Sequence, residues 1–492
     1  MITSDLLITQ DFNWPDMLTF CQYRPNLTNW TSLPKCLHRA LLLSFTLLIC
    51  GCQPPAAPNA LQNVIDKEVL KVGTIYGRTT FYHGNTGPQG FEYELADGFA
   101  DYLGVELQIY PYYSYHALMQ GLQQGRIDIA AAGDTITALQ ANNYQAGPVY
   151  QQVSHKLVFQ QGRERPRSPA DLTEPLVVVK GSSNAQLLAA LSEQYPDLKW
   201  RTTENQDIWE LTADVAEGRL AYTLVDSNTL ALQRRQYPQL SIGFSVDTLG
   251  NVAWLLNQNQ DASLRAAVVE YFGYLHEAGL FPAMEDKYFG HVRHFNYVDT
   301  RAFITASKMV LPQFADLFKQ FAGEQDWRLL AAISYQESHW QPDATSYTGV
   351  RGLMMLTQDT ASDLNIASRL KPESSIRGGA EYLDSLIKRI PNRIKHPDRV
   401  WMALAAYNIG MGHLEDARVL TELQGGNPDL WVEVKRRLPL LEQKKFYKTT
   451  RFGFARGTEA KAYVENIRRY YDTLVYLDEK TGLLEAPVAE TP

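Results

Sequence analysis

The stretch GFEYELADGFADYLGVELQIYPYYSYHALMQGLQQGRIDIAAAGDTIT, residues 90–137, decides the fold of the first half of the chain. Phe91, Leu95, Phe99 and Leu103 recur at helical spacing. Val105–Tyr110 alternates like a strand, Tyr115–Gln124 is helical again, and Ile127–Ala132 is an apolar run of buried-strand length. Alternation of helix and strand patterns predicts an α/β fold. The same alternation continues outward. Val69–Ile75 is rich in β-forming residues, and Leu176–Lys180 and Ala221–Val225 read as further strands. Gly181-Ser182-Ser183 and Asp226 fall at the carboxyl ends of those two strands, where ligands of open α/β sheets sit.

The character changes after His291–Thr300: strand alternation stops and helical periodicity takes over. Val310–Phe321 places Leu311, Phe314, Leu317, Phe318 and Phe321 on one stripe, and Trp327–Trp340, Arg399–Tyr407 and Ala460–Leu474 follow as helices. The second half is therefore expected to be all-α. With 492 residues, 45% apolar and 20% charged, the chain is ordinary globular material for two to three domains. Its formal net charge of −8 argues against a nucleic-acid partner.

Cys21, Cys36, Cys50 and Cys52 all precede the body of the protein, which excludes a disulfide framework or a thiolate metal site there. Lys35, His38 and Arg39 precede the apolar run Ala40–Ile49, too short to span a bilayer, and small Gly51 and Cys52 follow; this is the pattern of a secretory signal. Ile49-Cys50-Gly51-Cys52 resembles a bacterial lipobox with Cys52 as the lipidated residue. The lipoprotein resemblance implies a triacylated cysteine, and Gln53 after it implies sorting to the outer membrane, on the periplasmic face of a Gram-negative cell. Residues 1–34 are expected to be a spurious or extended N-terminus, with the true start near Met17 or later. The remaining expectation is a signal segment at 35–52, a linker at 53–65, a solute-binding-like domain at 66–295, a catalytic domain at 300–482 and a tail at 483–492.

GFEYELADGFADYLG (90–104), LMQGLQQGRIDIAAAGDTIT (118–137) and GLFPAMEDKYFG (279–290) resemble the periplasmic solute-binding proteins for polar amino acids. The resemblance implies two lobes that close on a ligand, with Thr137, Gln140, Ser183 and Asp226 as ligand-binding positions. An Arg of that family, which forks onto the ligand carboxylate, is replaced here by Gln140, while Asp226 matches the residue that meets the ammonium. A cell-wall peptide or amino acid is the expected ligand, and a retained scaffold with Thr137 and Gln140 merely opening a surface helix is the competing expectation.

In the second half the chemistry lies in DWRLLAAISYQESHW, residues 326–340. Asp326 can cap the helix start. Glu337 falls at +7 and +4 from Leu330 and Ile333, so a carboxylate lies on the apolar stripe, where desolvation raises its pKa and suits it to act as an acid. SYTGVRGLMML (346–356), AAYNIG (405–410) and Tyr463-Val464 follow. Together these segments resemble the catalytic domain of family-one lytic transglycosylases, relatives of goose-type lysozyme, with Met355 standing where the family motif has Gln. A solute-binding domain placed before such a domain resembles a membrane-anchored subgroup of that family. The fold expected is thus multidomain: a two-lobed α/β periplasmic solute-binding fold followed by an all-α lysozyme-like domain.

The resemblance implies peptidoglycan glycan strands as substrate, Glu337 as the catalytic acid and then base, and no cofactor or metal. It implies substrate contacts from Ser338, Ser346, Met354, Met355, Tyr407, Asn408 and Tyr463. Asp343 is the nearest second carboxylate in sequence and reads better as a loop or cap residue. A lysozyme-type muramidase and a non-enzymatic solute receptor are the alternatives. A zinc protease is excluded, because Leu280 stands where the second His after His276-Glu277 is required.

Overall fold

The computed structural model describes residues 59–84, 87–246, 249–292, 296–346 and 349–481. The signal-like segment with Cys52, the residues before it and the tail 483–492 lie outside the described residues. Among those described, no helix is long and apolar enough to cross a membrane.

Helix α1 (Ala60–Asp66) comes first, and it corrects the expectation that 53–65 is linker throughout. Asn59 caps it, accepting from the Gln62 amide at 2.8 Å. Ala60 and Val64, four residues apart, give the segment an apolar face to bury. The Ala60 and Leu61 amides donate to Asp261 (2.9 Å) and Ser263 (3.0 Å) and fasten the helix to the body.

The first lobe forms around strand β1 (Val69–Ile75). Helix α2 (Phe91–Leu103) crosses to β2 (Glu106–Tyr112), and α3 (Tyr115–Gln123) leads to β3 (Ile129–Ala131); β2 and β3 flank β1 in parallel. Phe91, Leu95 and Phe99 of α2 are buried as their spacing demands, while Leu103 in the last turn is half-buried. β2 has no fully buried residue because it is the sheet edge. A short helix α4 (Ala138–Asn143) and strand β4 (Tyr144–Ala146) close this part of the chain.

The chain then builds the second lobe from β5 (His155–Gln160), β6 (Leu176–Val179), α5 (Ser183–Gln194), β7 (Trp200–Thr203), α6 (Ile208–Ala216), β8 (Thr223–Asp226), α7 (Ser227–Gln236) and β9 (Leu240–Ser245). β8, β5 and β9 form an antiparallel sheet, and β7 and β6 a parallel pair bridged to it through Leu176 and Tyr222. Strand β10 (Leu255–Asn257) returns to the first lobe and slots antiparallel between β3 and β4. Helix α8 (Ser263–Glu277) seals that lobe, with Val268 and Phe272 in one core with Trp254 and Phe99.

From α9 (Tyr297–Met309) onward the structure is helical. The stripe Val310–Phe321 is not one helix: Leu311–Gln313 is a 3-10 turn and Ala315–Phe321 a separate helix. Phe314, at φ −121° and ψ −8°, leaves the helical region and separates the two, although Leu311, Phe314 and Phe318 are still buried. Helix α10 (Trp327–Ser338) ends where His339 and Trp340 take φ values of 52° and 60°. That reversal tucks the Trp340 indole into the core, where it donates to the Ala331 carbonyl at 2.9 Å. Helices α11 (Pro372–Arg389), α12 (Asp398–Ile409) and α13 (Gly457–Thr481) complete the frame of this domain. Leu330, Ile333, Ala403, Leu404, Val464 and Ile467 form its centre.

A buried ionic cluster joins the helical part to the lobes. Asp286 accepts from Lys435 and, at 2.8 Å, from Arg468, whose second arm donates to the Asp286 carbonyl at 2.6 Å. Burial alone would raise the Asp286 carboxyl, but the two cations hold it below its ordinary value. His291 pairs with Asp472 beside this cluster, and the Tyr237 and Tyr476 hydroxyls meet at 3.1 Å. Removing Asp286 strips buried Arg468 of its paired carboxylate and leaves Lys435 with Glu465 alone, at 3.5 Å. Asp286→Ala is expected to cost about 3–5 kcal/mol in urea unfolding. Arg78→Ala, which breaks the more exposed Arg78–Glu479 pair, is expected to cost less than about 1 kcal/mol.

Candidate active site

Asp326 caps α10 by accepting from the Arg328 amide at 2.9 Å, which starts the helix in the register that the apolar stripe requires. Leu330 and Ile333 are buried, and one turn beyond Ile333 the Glu337 carboxyl stands half-buried on the same face. Its partner comes from α13: the Tyr463 hydroxyl donates to Glu337 Oε1 at 2.5 Å. Desolvation raises Glu337 from 4.5 to about 7, and the Tyr463 hydrogen bond acts in the opposite direction. No guanidinium, ammonium or second carboxylate among the described residues perturbs it. Asp343 is exposed on the turn after the helix, where its carbonyl accepts from the Thr345 hydroxyl at 3.3 Å.

Tyr407 lies on α12 and donates to the Met354 carbonyl at 3.0 Å. Tyr407 and Tyr463 are both pushed well above the ordinary phenol value, first by burial and then by the Glu337 charge, so both hydroxyls face the acid as neutral groups. The Tyr382 ring of α11 packs 5.1 Å from that of Tyr407. The glycine-punctuated loop is pinned beneath the acid by α10 itself. The Ser334 and Ser338 hydroxyls both donate to the Leu353 carbonyl at 3.0 Å, and the Ser375 hydroxyl accepts from the Met354 amide at 3.1 Å. Gly352 has φ 82°, and a Cβ there would meet the Arg369 carbonyl oxygen at 1.8 Å, so the loop passes under its neighbour only with glycine.

Two expected substrate contacts are corrected by this packing. Ser338 is buried and its proton goes to backbone carbonyls, so it holds the loop and has no hydroxyl to offer a sugar. Met354 is fully buried against Gly379 and is core. Met355, at φ 46°, is turned outward and half-exposed, and Asn408 is exposed beside Tyr407. Ser346 is half-buried, its hydroxyl accepting from the Val350 amide at 3.3 Å. Tyr382, Ser334 and Ser375 were not among the expected residues; the strongly amphipathic run Pro372–Arg389 was the available signal for the first and last of them.

In the lobes, the expected ligand residues divide. Thr137 and Gln140 form a capping box at the start of α4: the Gln140 side-chain Oε1 accepts from the Thr137 amide (3.0 Å) and hydroxyl (3.1 Å), and the Gln140 backbone amide donates back to the Thr137 hydroxyl (3.3 Å). Their side chains are spent on each other, and neither lines the inter-lobe cavity, which corrects their assignment as ligand contacts. Ser183 is buried and bonded to Asp134 across the lobes. Asp226 lines the cavity while capping α7, accepting from the Asn228 and Thr229 amides at 2.9 Å each. Asp134 carried no signal in the sequence, because its meaning lies in the opposite lobe.

The fold and the site together define a solute-binding module fused to a lysozyme-like transglycosylase domain. Residues 70–291 match the model for bacterial extracellular solute-binding proteins, family 3, and residues 318–426 match the transglycosylase SLT domain. The chain is 55% identical over 453 residues to membrane-bound lytic murein transglycosylase F of Alteromonas mediterranea, covering 91% of this chain and 98% of that one. It is 51% identical over 446 residues to the protein of the same name from Idiomarina loihiensis, covering 90% and 98%. Among solved structures, a cysteine-binding protein from Campylobacter jejuni aligns at 19% identity and a TM-score of 0.44, covering 49% of this chain and 98% of that one. The chain belongs to the family of membrane-bound lytic murein transglycosylase F.

A raised carboxyl has a thermodynamic signature. Glu337 titrates near 7 when folded and near 4.5 when unfolded, so its ionisation costs stability as pH rises between those values, and the cost is complete above 7. Glu337→Gln removes that titration. The variant is expected to gain about 2 kcal/mol more over the parent at pH 8 than at pH 5, read from urea unfolding at both values. Tyr463→Phe deletes the bond that favours the carboxylate, so the Glu337 titration followed by carbon NMR should move upward from its parent value.

Proposed function

We propose that this lytic murein transglycosylase cleaves the β-1,4 bond between N-acetylmuramic acid and N-acetylglucosamine in peptidoglycan without water, with Glu337 as acid and then base. The observation that carries this reading is a single half-buried carboxyl near neutrality with a tyrosine hydroxyl as its partner. A protonated Glu337 delivers its hydrogen to the bridging oxygen, and the bond from that oxygen to C1 of the muramic sugar breaks. The sugar's own acetamido oxygen steadies the cation at C1. The ionised Glu337, now favoured by the Tyr463 hydrogen bond, takes the proton of the C6 hydroxyl, and O6 attacks C1. The ring so formed is 1,6-anhydro, and the attack is intramolecular, with the effective molarity of a tethered nucleophile.

An ordinary retaining hydrolase needs a second carboxylate about 5–5.5 Å from the first. The lack of any charged neighbour perturbing Glu337 among the described residues supports the one-carboxylate route. In this reading Tyr463 orients the acid, Tyr407 fixes the loop that underlies it, and Met355, Asn408 and Ser346 border the sugar. The catalytic domain spans 300–482. The front domain, 66–295, is a ligand-sensing or scaffold module for a cell-wall peptide or amino acid. Membrane association follows the family, and the proposed means is a lipid on Cys52 in the outer membrane.

Glu337→Gln keeps shape and removes the donor. Sacculus digestion is expected to fall by about 100- to 10,000-fold while the circular dichroism of the parent is retained. Mass spectrometry of the parent's products is expected to show anhydro ends, lighter than reducing ends by one water. Normal digestion by the variant refutes the role of Glu337, and reducing ends refute the intramolecular step.

A further inference from the structure

The inter-lobe crevice already contains a carboxylate of the protein's own. Asp134, beyond the end of β3 in the first lobe, reaches the N-terminus of α5 in the second. Its Oδ2 accepts from the Ser183 amide at 2.9 Å, and its Oδ1 accepts from the Ser183 hydroxyl. The position where a helix N-terminus would receive a ligand's carboxylate is thereby filled.

The remaining charge in the crevice is negative, beside His155, Trp209 and several hydroxyls. Asp207 caps α6 and Asp226 caps α7, and both line a cavity of about 70 Å³ together with Asp134. Tyr115 lies among them: its hydroxyl is pushed well above the ordinary value by burial and then by the charges of Asp134, Asp226 and Asp207. Asn184, nine-tenths buried in the same lining, donates to the Leu224 carbonyl at 3.2 Å, while its Oδ1 has no partner. Tyr76 and Trp209 form aromatic walls, and no Lys or Arg lines the cavity among the described residues. Carboxylates and an amide oxygen can only accept, so these groups are matched by one that donates and carries positive charge. Aromatic faces add to the attraction for such a group.

We infer that the crevice binds a primary alkylammonium group that carries no neighbouring carboxylate, held by Asp226, Asp207 and the Asn184 oxygen, with Asp134 occupying the carboxylate position. This rests on the reading of the front domain as a ligand-sensing module and narrows it: an amino acid zwitterion would set its carboxylate against Asp134, whereas the amine end of a longer cell-wall peptide would not.

The test is calorimetry of the full chain with cadaverine, a diamine without carboxylates, beside L-alanine. Cadaverine is expected to bind saturably at one site and L-alanine to give no heat. Asp226→Asn keeps a capping side chain on α7 and removes the charge, so it is expected to weaken cadaverine about tenfold or more. Binding of L-alanine as tightly as cadaverine, or an Asp226→Asn variant with unchanged cadaverine affinity, overturns the inference and leaves the sensing role standing. No heat from either compound overturns both, and the front domain is then a scaffold.

Discussion

One hydrogen bond in a dry setting organises the catalytic half of this protein. Glu337 and Tyr463 are brought together from helices more than a hundred residues apart, and the carboxyl is kept near neutrality by the loss of water around it. In the proposed mechanism a lone carboxyl first gives and then takes a proton, which calls for a pKa close to the working pH, because either state then lies within easy reach. Burial supplies the rise, and the tyrosine hydroxyl limits it. An arginine in place of Tyr463 would have fixed the charge and abolished the proposed first step. Much of the surrounding architecture serves this pair: Asp326 sets the register of α10, the two serines and Tyr407 hold the loop beneath the acid, and Trp340 closes the helix end.

The link between the two halves follows a different physical rule. Asp286, Lys435 and Arg468 are buried together, and Arg468 also lies 4.8 Å over the Trp401 ring. Buried ions contribute little net stability over an apolar contact of the same size, but they tolerate few alternative arrangements. The same residue, Arg468, belongs to the helix that carries Tyr463, so the helix that completes the acid site is also the one clamped to the lobes.

Much of this was legible in the chain itself. The period of 3.6 in Phe91, Leu95 and Phe99, the short β-rich runs and the later loss of alternation give the order of α/β and all-α parts, because those patterns reflect which face of each element meets a core. The position of Glu337 on an apolar stripe, and the cap at Asp326, follow from local spacing alone. Burial of residues such as Ser338 and Met354 was not legible, since adjacent positions in a motif point in different directions once the helix ends and the loop begins. The break at Phe314 left no mark on the apolar stripe that runs across it.

What the sequence by itself determined is the order of the α/β and all-α parts, several of their elements, and the place of Glu337 on an apolar helix stripe. Local hydrogen bonding and hydrophobic periodicity are properties of neighbouring residues, so a linear string records them. Tertiary structure alone decided that Tyr463 completes the acid, that Asp286 meets Lys435 and Arg468, and that Asp134 crosses to the opposite lobe while Gln140 turns back on Thr137. Each of those outcomes depends on which distant groups share a desolvated volume, and charge and polarity acquire their energies from that volume rather than from the chain order.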